Sequence, residues 1–448
     1  MTDLPHSRAF ENPYTALDRP SWRAIAQALR NNALASFPPR AFDDMAVGRS
    51  FAGRQQIILN EPEGIRHVLI ENAGNYRRTA SVGRALGPVV GRGLFLAEGS
   101  DWRHQRRMLA PAFAPRMMAP VAAETARACR QAIARLQVHR ARPVELFPHL
   151  QLLALDVAAA TLFSLDITAE GPPLRAAMQL YATGIGRPSM LDFILPRGLP
   201  TPRSWARWRF RRAWMRRIAR ILAQRAQRPA SASERDLFDL MAESGVPHRE
   251  RVEQAATMLT AGHETTAVAL AWAIHLVAAM PDVQQRIADE VATLDLSPVG
   301  AIEALPRLAY TRAVIDETLR LYPPAFSLVR QARAADMAAG IAIAPRAVVL
   351  IVPWVLHRHR RLWRDADTFD PSRFLPGSEP PARFSYLPFG TGPRACIGAQ
   401  FALTESTLAL ASLVQTFRIE PLDHEPLQPV ASITLQPDRS PSFRLRPR

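Results

Sequence analysis

The chain has 448 residues, of which 48% are hydrophobic and 21% are charged. This balance is typical of a globular protein with a large buried core, and it excludes a disordered or fibrous chain. Basic residues outnumber acidic ones by 56 to 40, which gives a formal net charge of +16, and every basic residue is arginine. Because the arginines are spread along the whole chain, the surplus fits either a positive surface or a compositional bias toward arginine.

The two cysteines, Cys129 and Cys396, are too few for a disulfide framework and are typical of a reducing compartment. We therefore expect a cytoplasmic protein. Residues 1–20 are polar and interrupted by prolines, and they lack the basic start and apolar run of a secretory signal. Apolar stretches along the chain fall short of the roughly 18 uninterrupted residues that a spanning helix needs, so no transmembrane helix is predicted.

The first half of the chain is expected to be mostly helical after a short β-rich region. Apolar and β-branched residues at 54–59 predict a strand, and helical patterning begins near Glu61. From Ala119 to about Met280 the helical pattern is broken where glycine and proline cluster. An arginine-rich segment with three tryptophans, 203–220, predicts a long helix with a charged outer face. A helix that binds a membrane surface or a nucleic acid is the less favoured interpretation.

The second half of the chain mixes helices with short strands. A helix from about Thr311 must end before Tyr322, because two prolines follow that residue. Short apolar runs at 341–343 and 348–352 are separated by prolines and predict small strands. A last helix is expected from Gln400. We find no internal repeat and no flexible linker that would divide the chain cleanly.

One segment, residues 389–398, places Cys396 in a glycine-rich loop directly before an apolar helix, and its sequence is FGTGPRACIG. The start of a helix carries unpaired N–H groups and positive potential, which lower the pKa of a thiol and stabilise the thiolate. On this observation alone the cysteine is a metal ligand, a reactive nucleophile or a buried structural residue. The loop lacks the Gly-Lys-Ser/Thr ending of a phosphate-binding loop, which disfavours a phosphate site.

A second segment, residues 261–266 with the sequence AGHETT, lies in the middle of a long apolar helix expected over about 247–280. Burying an acid or a hydroxyl without a partner costs roughly 2 kcal/mol or more, so the segment is either a solvated face or a functional site. His263 and Glu264 also resemble the start of a zinc-binding His-Glu-x-x-His helix. Ala267 stands where the second histidine is required, which excludes that zinc site.

Two further patterns are weak when each is taken alone. Glu317 and Arg320 lie one helical turn apart, a spacing that chance supplies easily and that is worth about 0.3 kcal/mol at a surface. Residues 101–107, with the sequence DWRHQRR, indicate first of all a basic helix with a solvated face.

These segments together resemble the cytochrome P450 family, whose haem-ligand loop reads Phe-Gly-x-Gly-x-Arg-x-Cys-x-Gly and is matched here at every position. The resemblance implies that Cys396 is the axial ligand of the iron of haem b. It also implies that Arg394 contacts a haem propionate, that Phe389 packs beside the sulfur, and that Gly390 and Gly398 let the backbone pass close to the porphyrin. A thiolate ligand donates electron density to iron and favours O–O cleavage.

In the same family a segment Ala/Gly-Gly-x-Asp/Glu-Thr-Thr crosses the oxygen-binding face of the haem, and residues 261–266 match it. The resemblance implies that Ala261 lines the substrate pocket and that Gly262 relaxes the helix where dioxygen must fit. Glu264 and Thr265 then resemble the acid and the alcohol that carry protons to that face, with water as the intermediary.

Other family positions correspond to residues that hold the cofactor or the core. Trp102 and Arg106 match residues that meet haem propionates, and Arg330 stands where the family has another propionate-binding base, although Arg333 lies close by in the sequence. The pair Glu317 and Arg320 matches a structural pair of the family.

That structural pair joins an arginine from a later segment, which is Arg373 in the sequence PSRF at 371–374. In the family the three residues form a buried network that holds the core on the haem side. The resemblance therefore implies a structural role for the three residues and not a chemical one.

The resemblance implies a mainly α fold with a small β portion, formed by a single haem-binding domain. We place this haem-thiolate monooxygenase domain at residues 41–448, after an N-terminal arm, residues 1–40, that carries no family signature. This expectation replaces the two to four domains that the length alone suggests.

The implied activity is a monooxygenase that inserts one oxygen atom from O2 into a hydrophobic organic substrate, by hydroxylation or a related oxidation. Fatty acids and terpenoids are the favoured substrates, and steroids and aromatic compounds stay open. The sequence carries no dinucleotide or flavin fingerprint, so electrons are expected from a separate partner. Arg103 and Arg107 are candidates for a basic surface that binds an acidic ferredoxin or a flavodoxin-like donor, itself served by an NAD(P)H-dependent reductase.

Two alternatives keep the same cofactor. A peroxygenase driven by H2O2 resembles relatives in which Arg-Pro replaces the acid and alcohol, whereas Glu264 and Thr265 are present here. A non-catalytic haem-thiolate sensor would have no use for that pair, and we recognise no output domain. We expect no nucleic-acid partner, and peripheral contact of residues 190–199 with a membrane is left open.

Overall fold

The structure is a computed structural model that describes residues 27–448, except for 29, 52, 139–141, 196–197, 228–235 and 424. The α-helices of the described residues are α1 (Pro62–Arg66), α2 (Ala80–Val90), α3 (Gly99–Leu109), α4 (Met118–Gln137), α5 (Leu146–Phe163), α6 (Gly171–Leu180), α7 (Met190–Ile194), α8 (Ser204–Ala226), α9 (Leu237–Glu243), α10 (His248–Ala279), α11 (Pro281–Val291), α12 (Ala301–Ala304), α13 (Ala309–Leu321), α14 (Pro353–Leu356) and α15 (Ala399–Thr416).

The strands are short and lie at the margins of the helical body. They are β1 (Ala46–Phe51), β2 (Arg54–Leu59), β3 (Tyr76–Arg77), β4 (Val144–Glu145), β5 (Leu328–Ala332), β6 (Asp336–Ala338), β7 (Ile341–Ile343), β8 (Val348–Ile351), β9 (Phe417–Pro421), β10 (Pro429–Ala431), β11 (Leu435–Pro437) and β12 (Ser442–Pro447). One sheet has the order β1-β2-β8-β5-β3, a second has the order β4-β12-β9, and two hairpins pair β6 with β7 and β10 with β11. Only β2 and β8 pair in parallel among these strands.

Helix α10 runs through the centre of the core over 32 residues. Its small and apolar residues are buried on all sides, because α5, α8, α13 and α15 pack around it. A helix that is apolar on all sides is stable only when it is surrounded by other elements. Polar residues in its middle must therefore face other buried polar groups or an internal space.

Several elements predicted from periodicity are confirmed. The strand expected at residues 54–59 is β2, and the long helix expected over about 247–280 is α10. Helix α13 ends at Leu321, directly before the two prolines that follow Tyr322. The apolar runs at 341–343 and 348–352 form β7 and β8, and the last helix begins at Ala399.

Part of the predicted N-terminal arm packs into the domain. The side-chain amide of Asn32 donates to the carbonyl of Pro429 at 2.8 Å, and its oxygen accepts from the backbone N–H of Ala431 at 3.0 Å. Leu34 and Phe37 are buried in the main core. Residues from Asn32 onward are therefore held against the β10–β11 hairpin. The boundary at residue 40 stays a prediction, and residues 1–26 lie outside the described residues.

One helix of the described residues, α5, has the length and hydropathy of a membrane span. Within the fold, 72% of that stretch is buried, as is usual for the core helix of a globular domain. Helices α10 and α11 meet the same criteria only when they are taken together, and they meet at a bend of 109°. This is weak support for a span.

The arginine-rich segment forms α8, the long helix with a charged outer face that the sequence favours. Trp214 is buried, whereas Trp205 and Trp208 are 65% and 54% exposed. The guanidinium groups of Arg209 and Arg212 lie over these two exposed rings, 4.7 and 5.7 Å from the ring centroids. Such cation–π contacts cover part of the exposed aromatic surface.

The carboxylate of Asp336 fastens the β6–β7 hairpin to β3 and to the segment before it. Asp336 accepts hydrogen bonds from the Tyr76 hydroxyl at 2.6 Å, the Asn72 amide at 3.0 Å and His67 Nε2 at 3.0 Å. Burial alone would raise the pKa of Asp336, but these hydrogen bonds lower it to about 2. The folded protein therefore favours the ionised form more strongly than the unfolded chain does.

We expect Asp336→Asn to reduce the free energy of unfolding at pH 7 by about 1–2 kcal/mol. Because the folded pKa is depressed, this stabilisation is present above pH 4 and is lost as the pH falls toward 2, so that about half remains at pH 3. Urea unfolding at both pH values measures the difference. Asp43→Asn is the control, since Asp43 pairs with Arg360 at the surface and should matter little at either pH. An equal loss at pH 7 and pH 3 would contradict the prediction.

Candidate active site

The loop that holds Cys396 makes two turns before α15 begins. Gly390 and Gly392 have φ values of +65° and +72°, in the left-handed region that favours glycine. A side chain at Gly392 would also place its Cβ 2.2 Å from the carbonyl oxygen of Leu69, so this position has no room for one. The backbone N–H of Cys396 donates to the carbonyl of Phe389 at 2.9 Å and closes the loop.

The neighbours of Cys396 favour a thiolate, but burial opposes it. Burial raises the pKa of the Cys396 thiol, while a hydrogen bond from the backbone of Gly398 and the positive charge of Arg106 lower it in part. Arg106 also donates through Nη1 to the carbonyl of Ala395 at 3.0 Å. A bound metal cation supplies the missing charge, because a coordinating thiol is deprotonated outright.

Two residues, Cys396 on this loop and Ala261 on α10, keep exposed surfaces inside the fold. Cys396 is surrounded by protein and yet keeps an exposed surface. Ala261, in the middle of α10, is also exposed, although its neighbours His263 and Glu264 are buried. Helix α10 packs against α15, which follows the cysteine loop directly. We infer that the exposed surfaces of Cys396 and Ala261 line the space between these elements.

Helix α10 is continuous where it passes this space. The hydroxyl of Thr265 donates to the carbonyl of Ala261 at 2.6 Å, one turn earlier on the helix. Gly262 lies within the unbroken helix from His248 to Ala279, and the relaxation expected at this glycine stays a prediction. A Cβ at Gly262 would lie 3.6 Å from Ala158 of α5, an ordinary contact distance. The glycine therefore faces the neighbouring helix.

The carboxyl group of Glu264 lies between two glutamines. Its Oε2 accepts from Gln151 Nε2 at 3.3 Å, and its Oε1 accepts from Gln436 Nε2. Burial raises the pKa of Glu264, and the two amide hydrogen bonds lower it in part. A carboxyl group with a raised pKa exchanges protons nearer neutral pH, as general acid–base chemistry requires.

Arg394, on the cysteine loop, is held by several contacts. It donates to the carbonyl of Ala97 and to the carboxylate of Glu98, both at 2.7 Å. Its guanidinium carbon lies 4.4 Å from the centroid of the Trp102 ring. These contacts fix the position of a cation next to the cysteine loop.

Four further arginines join Arg394 around a cavity of about 260 Å³: Arg78, Arg103, Arg330 and Arg333. Glu98 is its one carboxylate among the described residues. Burial and the neighbouring positive charges lower the pKa of Arg78 to about 9 and that of Arg330 to about 10. Five guanidinium groups thus surround one carboxylate at this cavity, and those of Arg78, Arg330 and Arg394 repel one another.

This surplus of positive charge fits the propionates of a haem. Guanidinium groups bind carboxylates through strong charge-assisted hydrogen bonds, and a second negative group would relieve their mutual repulsion. The cluster lies beside the loop of Cys396, whose thiol needs a cation to ionise. The residues present therefore fit a haem held by Cys396, with its propionates toward Arg78, Arg330 and Arg394.

Residues predicted on α3 separate into two groups. Trp102 lines the arginine cavity. Arg106, expected beside the same propionates, instead contacts the carbonyl of Ala395 on the cysteine loop. A contact between Arg106 and a propionate stays a prediction. Arg103 and Arg107 are exposed on the same helix, and Arg103 also lines the arginine cavity.

The predicted structural network is present and buried. Arg320 makes two hydrogen bonds of 2.7 Å to the carboxylate of Glu317, and both side chains are 0% exposed. Arg320 also donates to the backbone carbonyls of the segment after α14, at 2.6–2.8 Å: His357, Ala366 and Thr368. Arg373 approaches more loosely, with its Nε 3.6 Å from Glu317 Oε1. The network ties α13 to the segment that leads to the cysteine loop.

The sequence alone did not identify four residues of this site. Arg78 and Glu98 belong to the cavity, and Gln151 and Gln436 hold Glu264. Glu98 directly precedes α3, and its position just before the recognised segment at 101–107 is the one available signal. The two glutamines stand in ordinary helix and strand patterns that carry no signal of this kind.

Comparison with known proteins gives a consistent result. The family model for cytochrome P450 matches residues 46–441. The chain is 32% identical over 398 residues to cyclooctat-9-en-7-ol 5-monooxygenase of Streptomyces melanosporofaciens, which covers 87% of this chain and 85% of that protein. It is 31% identical over 402 residues to pentalenene oxygenase of Streptomyces avermitilis, covering 86% and 87% of the two chains.

Solved structures agree in fold. A crystal structure of a cytochrome P450 superposes with a TM-score of 0.78 at 25% identity, over 91% of this chain and 96% of that one. The heme domain of cytochrome P450DA superposes with a TM-score of 0.82 at 23% identity, over 97% of both chains. With a matching family model over most of its length and relatives named as oxygenases, the chain belongs to the cytochrome P450 family of haem-thiolate monooxygenases.

Proposed function

We propose that this enzyme inserts one oxygen atom from O2 into a terpenoid substrate, with electrons from a separate acidic donor. The observation that carries the proposal is that Cys396 and Ala261 keep exposed surfaces on two elements that pack together, with Thr265 hydrogen-bonded to Ala261 and Glu264 next to it. Two relatives are named for oxidising cyclooctat-9-en-7-ol and pentalenene, which favours a terpenoid over a fatty acid. The two free cysteines support a cytoplasmic location.

Haem b, bound through Cys396, supplies the oxygen-activating chemistry. The protein's own residues orient it and move protons. Arg78, Arg330 and Arg394 hold the propionate edge, and the glycines of the cysteine loop let the backbone approach the ring. Glu264 accepts and releases protons, and the hydroxyl of Thr265 passes them on beside Ala261, with water completing the path.

The electron donor binds on the cysteine side. Arg106 ties α3 to the carbonyl of Ala395, so the exposed Arg103 and Arg107 of the same helix lie close to the loop of Cys396. Such a basic surface suits an acidic ferredoxin or a flavodoxin-like protein reduced by an NAD(P)H-dependent reductase. Reduction by such a donor should slow as ionic strength rises and in Arg103→Glu. A rate indifferent to both would overturn this part of the proposal.

The function is tested with ¹⁸O2 and a panel of terpenes. Substrates are first chosen by the spectral change that accompanies displacement of the iron-bound water. With reductase and ferredoxin present, we expect product to carry one ¹⁸O atom and to form at least about tenfold faster than with H2O2 alone. Faster turnover with H2O2 alone would establish the peroxygenase alternative instead. Binding without oxidation of any tested substrate would favour the sensor.

A further inference from the structure

The two hydrogen-bond partners of Glu264 are both neutral amides. Gln151 comes from α5 and donates to Oε2, while Gln436 comes from β11 and donates to Oε1. Gln151 is 1% exposed and Glu264 is 8% exposed. Amide donors hold a carboxylate in one orientation without the strong ionic attraction of an arginine, so they leave the acid able to take up a proton.

Gln151 also contacts residues nearer to solvent. Its Oε1 accepts from Arg175 Nη1 at 3.5 Å, and its Nε2 lies 3.5 Å from Gln179 Oε1. Arg175 and Gln179 are on α6 and are partly exposed. A line of polar atoms therefore runs from the surface of α6, past Gln151, to Glu264.

His263 is the other polar side chain beside Glu264, but it does not continue such a line. It is fully buried, and neither ring nitrogen has a hydrogen-bond partner among the described residues. Its Nδ1 lies 3.8 Å from Glu264 Oε2. Burial and the charge of Arg175 lower the pKa of His263 to about 3, so the ring is neutral at physiological pH. The polar line to the surface passes through Gln151.

We propose that Gln151 and Gln436 are positioning residues for Glu264, and that protons reach Glu264 from solvent through water oriented by Gln151, Arg175 and Gln179. This inference rests on the proposed proton-carrying role of Glu264 and Thr265. One proton passes from solvent water to the carboxylate of Glu264, is handed on toward Thr265, and leaves Glu264 as a carboxylate again. No electron moves in this step. Gln151 orients the carboxylate and the water beside it.

The first test uses the resting ferric holoenzyme, without turnover. The infrared carboxyl band that disappears in Glu264→Gln is assigned to Glu264 and titrated with pH. Because each amide hydrogen bond favours the ionised form, Gln151→Leu and Gln436→Leu should each raise the pKa of Glu264 by about one pH unit. An unchanged titration in both variants would overturn the positioning role.

The second test measures proton delivery during turnover. In Gln151→Leu we expect the solvent deuterium isotope effect on reductant consumption to rise about twofold, and the share of reductant lost as H2O2 to rise several-fold. Arg175→Leu, on the partly exposed α6, should change both in the same direction and carries little risk to folding. Gln254→Leu is the matched control, because Gln254 is a buried glutamine of α10 that instead accepts from the backbone of Leu94.

The outcomes separate this inference from the proposed function. If Gln151→Leu and Arg175→Leu behave like Gln254→Leu while Thr265→Ala diverts reductant to H2O2, the proton route along Gln151 is wrong and the acid–alcohol pair stands. If Thr265→Ala and Glu264→Gln still convert all consumed reductant into product, the proposed proton-carrying role of the acid–alcohol pair is itself wrong. The proton route is supported if the solvent isotope effect and the loss of reductant as H2O2 both rise in Gln151→Leu and Arg175→Leu. Gln254→Leu should leave both unchanged.

Discussion

Cys396→Ser is expected to remove the red-shifted absorption of the reduced carbon monoxide complex and to reduce product formation by more than about a hundredfold. Even residues that only support a metal ligand change activity by about 10- to 100-fold, and this substitution removes the ligand itself. A serine hydroxyl has a far higher pKa than a thiol, so it does not supply the anionic, electron-donating ligand that favours O–O cleavage. Absorption spectra and product assays on purified holoenzyme measure both effects.

Cys129→Ala is the matched control for this experiment. Cys129 is the other cysteine of the chain, buried in the core on α4. Burial raises the pKa of its thiol to about 12, which is typical of an inert structural cysteine. The control should keep the red-shifted spectrum at some loss of stability. A normal spectrum in Cys396→Ser, or its loss in Cys129→Ala, would contradict the assignment of the ligand.

Arg320→Met is expected to destabilise the protein by about 3–5 kcal/mol and to reduce haem retention. The substitution leaves the carboxylate of Glu317 buried without its main partner, and it removes the donor to three backbone carbonyls near the cysteine loop. Removing one member of a buried pair is costly because the remaining charge is not solvated. Urea unfolding followed by circular dichroism and by haem absorbance measures both consequences.

Arg312→Met is the control on the same helix. Arg312 pairs with Asp316 at 2.7 Å, but its side chain is 39% exposed. Because Arg312 is partly solvated and Asp316 keeps a hydrogen bond from the Tyr386 hydroxyl, losing this pair should cost less than about 1 kcal/mol. A double variant, Glu317→Gln with Arg320→Met, should recover part of the stability lost in Arg320→Met, since no buried charge remains. Equal effects of Arg320→Met and Arg312→Met would show that the buried network does not hold the core.

Much of the fold was predictable because local patterns decide it. The apolar run of α10, the prolines that end α13 and the apolar, β-branched runs of β2 and β8 are visible in consecutive residues, and each element formed where it was expected. The packing of residues 32–37 against the β10–β11 hairpin was not visible, because the partners are separated by almost the whole chain. Local periodicity reports which face is apolar and does not report what will cover it.

The candidate site likewise has one part that could be predicted from the sequence and one part that could not. Its recognisable parts are those where chemistry needs a fixed local geometry: two glycines with left-handed backbone before Cys396, and an acid next to an alcohol on α10. The contact of Arg106 could not be predicted from the sequence. Helical spacing places this residue near Trp102, whereas in the folded protein its guanidinium contacts the cysteine loop. A long arginine side chain can reach several groups, and which of them lies within reach depends on the tertiary packing.

By itself the sequence determined the cysteine loop, the acid–alcohol segment and the order of helices around them, because these depend on short-range backbone geometry and hydrophobic period. Tertiary structure alone decided that Arg78, Arg330 and Arg394 meet around one cavity, and that Gln151 and Gln436 close on Glu264. These side chains come from separate strands, helices and loops. Their charges and hydrogen bonds become strong only where packing has excluded water, and this exclusion depends on the complete tertiary structure.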